Sequence, residues 1–293
     1  MIWDLCHYGW PDHLSIWSPA FPQAFAAFAE AAALFLRDQG VEAPFWCPVN
    51  EISYWAWAGG QVKHIGPYAW GRGPALKRQL VRATNLAIEA LRRVDPACRI
   101  VLVDPLIHVV PDRPRDRLAA DRTRLWMYEA WDLIGGRTDP RHGGHPSHLD
   151  IIGVNFYSNN QRLLSGPEIT PDHPGWKPFR FMLLEIWQRY RRPILVAETG
   201  ADGEVGAAWL SDVCAEVRAA MELGVEIVGV CIYPVMDYPG WVDHRHCPCG
   251  PIQAAAGFGP RRFYPPMAAA VLREEAAFAA FAQMLAGAGP RSG

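Results

Sequence analysis

Two glutamates stand where a parallel α/β fold would put reactive groups. Glu51 follows the apolar run 45–50, and Glu198 lies near the end of the run 193–199. Glutamate is a poor strand residue and is expensive to bury without a partner. If both runs are strands of one barrel, both carboxyls sit at strand ends, where chemistry gathers in such folds. Two carboxyls facing one cavity suit glycosidic hydrolysis. One, with a raised pKa, protonates the leaving oxygen; the other, kept ionised, attacks the anomeric carbon or activates water. The remaining strand ends carry His7, Asn50, Asp104, Asn155-Phe156-Tyr157, and Tyr233 with Asp237. Each glutamate taken singly also admits the reading of a salt-bridged carboxylate at a rim. His7 alone reads as a satisfied core histidine, and Tyr157 as a packed aromatic.

The elements that must position these residues follow from periodicity. Strand-like runs at 2–7, 45–50, 99–104, 149–157, 193–199 and 225–234 alternate with helical segments. A helix is predicted from about residue 18, with Phe21, Phe25, Phe28, Ala32, Phe35 and Leu36 on one face and Gly40 as its stop. Others are predicted at 75–94, ended by Asp95-Pro96, and at 117–133, 179–190, 206–223 and 264–285. Strands separated by helical crossovers imply a parallel sheet. The count is six strand–helix units, in a single domain over 1–286 with a disordered tail at 287–293.

Composition narrows the function classes. The chain has 293 residues, half of them hydrophobic, and a formal charge of −2. A near-neutral chain lacks the basic footprint of a nucleic-acid partner. No apolar run is long enough to span a bilayer, so no membrane partner is expected. The start has an acid at Asp4 and no basic region, unlike a signal peptide. Seven cysteines suggest reduced thiols and a cytoplasmic location, with Cys247-Pro248-Cys249 as a strained or reactive pair. Three histidines lie within 141–148, in a loop where flexible surface histidines are common, and His244, His246, Cys247 and Cys249 form a mixed group. Neither has a standard zinc spacing, so no metal is assigned. No phosphate loop, nucleotide fingerprint or Gly-x-Ser-x-Gly elbow is present, and no cofactor is expected. Thirteen tryptophans are more than core packing alone requires, and suit stacking on sugar faces.

Five segments, in order, carry a family resemblance. Trp46-Cys47-Pro48-Val49-Asn50-Glu51 resembles the Asn-Glu signature ending the fourth strand of clan A glycoside hydrolases, and Ile194-Leu195-Val196-Ala197-Glu198-Thr199-Gly200 resembles their nucleophile strand, the seventh. The stretch from Asp4 through His7 and Pro11 to Leu14 is similar to the third-strand histidine motif of family 1 β-glucosidases. Gly153-Val154-Asn155-Phe156-Tyr157-Ser158 resembles that family's sixth strand, and the stretch from Tyr233 through Asp237 to Trp241 more loosely its eighth. The resemblance implies a TIM-type (β/α) barrel truncated to about six β/α units, strands 3–8, and a retaining β-glycosidase acting on small β-glycosides. It implies Glu51 as acid/base and Glu198 as nucleophile. Asn50 would bind the sugar 2-hydroxyl, His7 a glycone hydroxyl, and Tyr157 the nucleophile carboxylate. Asn155, Tyr233 and Trp241 complete the expected carbohydrate-binding set, with Trp55, Trp57, Trp70 and Trp176 as further walls.

The departures are specific. Tyr233 stands where the family has tryptophan, and Gly240 where many members have a glycone-binding glutamate. The third-strand motif begins at Met1, so the first two units have no counterpart, nor does the second-strand arginine beside the nucleophile. Edge strands at 2–5 and 225–232 would then be exposed, and exposed apolar edges invite pairing. Self-association, a tighter six-stranded barrel, or cover by residues 242–262 would each close them. The alternatives to an active enzyme are a sugar-binding relic of the barrel and a fragment needing a partner chain.

Overall fold

The computed structural model describes residues 1–241, 245–254 and 259–287, which group into two compact units. The first comprises Met1–Asn155 with Arg162–Pro167, and the second Phe156–Gln161 with Glu168 onward.

The first unit carries four parallel strands, paired in chain order: β1 (Ile2–Asp4), β2 (Phe45–Cys47), β3 (Arg99–Pro105) and β4 (Ile151–Asn155). β3 and β4 are buried almost throughout, as strands covered on both faces must be. Gly153 is required where these two meet, because a Cβ there would come within 2.7 Å of Val103 Cγ2. Helix α1 (Ala20–Asp38) buries Phe21, Phe25, Ala29, Ala33 and Leu36. The face is rotated from the one expected: Phe28 is 52% and Phe35 63% exposed. The buried stripe instead runs through Ala29 and Ala33, small residues that admit close approach of a neighbouring helix. That neighbour is α3 (Gly73–Val94), which starts with Pro74 in its first turn and stops before Pro96. Its Leu76, Leu80, Val81, Ile88 and Leu91 are fully buried. Between β2 and α3 lie a single helical turn, α2 (Ile52–Trp55), and a π-turn over Ala56–Gln61.

The helix expected over 117–133 is two helices, α4 (Arg117–Leu125) and α5 (Tyr128–Ile134). The break has a tertiary cause. Lys77 Nζ donates to the Trp126 carbonyl at 2.9 Å, and Ile107 N–H donates to Met127 Sδ at 3.2 Å.

The second unit holds the parallel pair β5 (Ile194–Thr199) and β6 (Ile227–Ile232), with helices α6 (Phe179–Tyr190), α7 (Val205–Glu222) and α8 (Pro265–Gly287). Leu210, Cys214, Met267 and Ala270 form a core against Val230 and Ile232 of β6. The β5–β6 register slips between Val196 and Thr199, where β5 carries one residue more than β6. Such a bulge bends a strand and re-aims its side chains. Glu198 lies inside it.

Six parallel strands, each followed by helix, give six β/α units. Among the described residues β1 pairs only with β2, and β6 only with β5. No described helix is long and apolar enough to cross a membrane. α8 continues through Gly287, and the rest of the expected tail, 288–293, lies outside the described residues, as do 242–244 and 255–258 of the expected edge cover.

Candidate active site

In the first unit the chain leaves β2 through Pro48–Asn50. Two backbone bonds pin the turn: Asn50 N–H donates to Cys6 O, and Glu51 N–H to Val103 O, both at 3.0 Å. Glu51 then adopts φ 50°, ψ 55°, a left-handed conformation immediately before α2. Asp104, at the end of β3, anchors that helix from below. Its carboxylate accepts Ser53 N–H at 2.9 Å and Ser53 Oγ–H at 2.6 Å, satisfying first-turn groups that α2 cannot satisfy itself.

The Glu51 carboxyl is gripped on both oxygens. Tyr8 O–H donates to Oε2, and Asn155 Nδ2 donates to Oε1 at 3.0 Å. Burial raises the Glu51 pKa above the ordinary carboxyl value, against the downward pull of Tyr8, Asn155 and the nearby His7. Asp104 is pushed up to about 7, chiefly by burial; Ser53 and Lys77 pull it down, and Glu51 adds repulsion. His7 places Nδ1 2.8 Å from Asp4 Oδ2 and Nε2 3.5 Å from Asn50 Nδ2. The carboxylate thus holds one ring nitrogen and points the other toward Asn50.

Aromatic rings continue from this carboxyl. Tyr8 lies 5.6 Å from Tyr54 and 6.0 Å from Trp55, Tyr54 lies 5.8 Å from Trp57, and Trp57 lies 5.5 Å from His64. Trp55, expected among the open walls, is instead fully buried and spends its indole N–H on Gly66 O at 2.7 Å. Trp57 and Trp176 are half-buried and Trp70 is exposed.

In the second unit, Tyr157 O–H donates to Glu198 Oε2 at 2.9 Å. The backbone beneath is tied twice: Phe156 N–H donates to Glu198 O at 2.9 Å, and Thr199 Oγ1–H to Phe156 O at 2.8 Å. Trp209 in turn donates its indole N–H to Thr199 Oγ1 at 2.9 Å, and Phe156 stacks on Phe179 at 4.0 Å. Tyr233 N–H donates to Thr199 O at 2.9 Å, and burial pushes the Tyr233 hydroxyl up to about 12. The exposed indole of Trp241 hydrogen-bonds the hydroxyls of Tyr233 and Tyr238. Asp237 caps the following loop, accepting Gly250 N–H at 3.0 Å.

The structure therefore groups His7, Asn50, Glu51 and Asn155 in one unit, and Tyr157, Glu198, Tyr233 and Trp241 in the other. Asn155, expected among sugar ligands, donates to Glu51. Tyr8 was not singled out by sequence reasoning, although it directly follows His7. Asp104 was noticed at a strand end, but nothing in the sequence tied it to Ser53.

The side groups resolve differently from expectation. His142 and His148 are buried rather than flexible surface residues: Asn85 Nδ2 donates to the His142 carbonyl at 2.7 Å, and Asn85 Oδ1 lies 2.9 Å from His148 Nδ1. Cys247 and Cys249 are both free and buried, and burial pushes the Cys249 thiol up to about 12, which suppresses the reactive thiolate. Among the described residues no His, Cys, Asp and Glu cluster of three or more could hold a metal; His244 lies outside them.

No protein-family model matches the chain. Solved structures do. A family 1 β-glucosidase from Thermotoga maritima superposes with a TM-score of 0.75 at 17% identity, over 93% of this chain and 73% of that one. The β-glycosidase from the hyperthermophile Thermosphaera aggregans gives 0.74 at 17%, over 94% of this chain and 66% of that one. A hyperthermophilic β-glucosidase mutant that forms a dodecamer in the crystal gives 0.75 at 17%, over 92% and 68%. At such identities the likeness is one of fold: the chain is built like the (β/α) barrel of family 1 β-glucosidases, with six of its β/α units.

Proposed function

We propose that the protein is a retaining β-glycosidase of small β-glycosides, with Glu51 as acid/base and Glu198 as nucleophile. The observation that carries this reading is the Glu51 carboxyl, on a half-buried residue at a strand end of a β-glucosidase-like fold, with its pKa raised. That is the condition an acid catalyst needs near neutrality. Glu51 gives its proton to the glycosidic oxygen as the Glu198 carboxylate attacks the anomeric carbon, so the aglycone leaves as the alcohol and a glycosyl ester forms on Glu198. Glu51, now a carboxylate, takes a proton from water, which attacks the same carbon, frees the sugar and restores Glu198. Tyr157 orients the nucleophile, Asn50 binds the 2-hydroxyl, His7 binds a glycone hydroxyl, and Tyr233 and Trp241 face the sugar. Asn155 serves the site through Glu51. Residues 1–286 act as a single cytoplasmic domain, and the one-sided strands β1 and β6 are where copies would associate.

Hydrolysis of an aryl β-glycoside, with the first-formed anomer followed by NMR, tests the reading. Retention is expected, with turnover abolished in Glu198→Gln and cut at least about a hundredfold in Glu51→Gln. A Glu198→Gln variant at full rate removes the nucleophile assignment. Sugar binding without turnover in the unaltered chain would make it a binding protein instead.

A further inference from the structure

The two hydrogen-bond donors on Glu51 are not equivalent. Asn155 presents an amide nitrogen to Oε1, and such a nitrogen can only donate. Tyr8 presents a hydroxyl to Oε2, and a hydroxyl can donate or accept by rotating. A proton on Oε1 would oppose the Asn155 N–H, whereas a proton on Oε2 meets a tyrosine oxygen able to receive it. We infer that Tyr8 is the positioning residue that decides which Glu51 oxygen carries the acid proton, and the pH at which that proton is loaded. The inference rests on reading Glu51 as the acid/base.

The backbone and packing agree with that task. Tyr8 is held at φ 65°, a left-handed conformation that residues other than glycine rarely adopt. Its ring is boxed by His7 at 4.6 Å, Tyr54 at 5.6 Å and Trp55 at 6.0 Å, so the hydroxyl has a fixed aim. Within the same unit, the titratable groups beside Glu51 include His7 with its partner Asp4, Tyr54 of α2, and Asp104 of β3. All remain in a Tyr8→Phe chain.

In the charged form of Glu51, Tyr8 is a stabilising donor. Removing its hydroxyl in Tyr8→Phe therefore raises the pH at which Glu51 deprotonates, by about one unit. Site-specific 3-fluorotyrosine at position 8, a stronger donor of the same shape, lowers it. The midpoint is read directly by carbon-13 NMR of the Glu51 carboxyl, assigned by its loss in Glu51→Gln, and again in the basic limb of kcat/KM against pH. Opposite shifts in the two variants are expected. If Tyr8→Phe does not fold, the fluorotyrosine chain alone decides. An unmoved NMR midpoint in a folded variant overturns the inference. Shifts by NMR in a chain with no turnover would uphold Tyr8 and reject the glycosidase.

Discussion

Asp104 is only 1% exposed, and burial holds its carboxyl at about 7 rather than near 3.8. Between those values the native chain keeps a proton that the unfolded chain has released. Its contribution to stability is therefore complete below about pH 4 and is lost as pH rises through 7. Asp104→Asn keeps an acceptor for Ser53 N–H but removes the titration. Urea unfolding of both chains from pH 4.5 to 7 should show wild type losing ground to the variant, by up to about 1.4 kcal/mol per pH unit. Parallel curves would show that Asp104 titrates normally. At this scale the sequence displayed the types and order of His7, Asn50, Glu51, Asn155, Tyr157 and Glu198. It hid the contacts of Tyr8 and Asp104, because a hydroxyl reaching over a left-handed turn and a carboxylate reaching from β3 to α2 have no one-dimensional signature.

Two glycines govern how the elements bring these residues to their places. A Cβ on Gly153 would strike Val103 between β3 and β4, so Gly153→Ala should cost about 1–3 kcal/mol in denaturant unfolding. A Cβ on Gly200 would overlap the Tyr233 carbonyl oxygen, next to the bulge that holds Glu198. If Glu198 is the nucleophile proposed above, Gly200→Ala should damage turnover, by about a hundredfold, through displacement of the strand end that carries it. Unchanged kcat in that variant would show the strand end can yield without harm. Periodicity located the six parallel strands and the longer helices between them, since buried faces recur at fixed spacing, but not the single turn α2 or the π-turn after it. It misplaced the helix break at Trp126, which follows from a lysine donated by α3, and the α1 face, which follows from the closeness that Ala29 and Ala33 permit.

At the scale of the molecule, each edge strand has one partner among the described residues and leaves side chains in water, Ile2 at 41% and Val228 at 52%. Static light scattering should find a species larger than a monomer, weakened by a lysine at Val228, because an edge charge opposes strand addition. A strict monomer at all concentrations would end the idea of self-association. The fold class was legible from alternation and motif order; how the edges are satisfied was not, since that depends on surfaces rather than patterns. The left-handed turn at Glu51 also bears on the chain's history. A side chain in that region costs roughly 1–2 kcal/mol relative to glycine, and burying a carboxyl adds to the burden. Selection for stability alone would favour glycine at 51. Glu51→Gly should therefore melt above Glu51→Ala, and equal melting temperatures would refute the strain. If the gap is found, keeping an acid at that position is a standing expense, one that a barrel already emptied of its chemistry would have had every thermodynamic reason to shed.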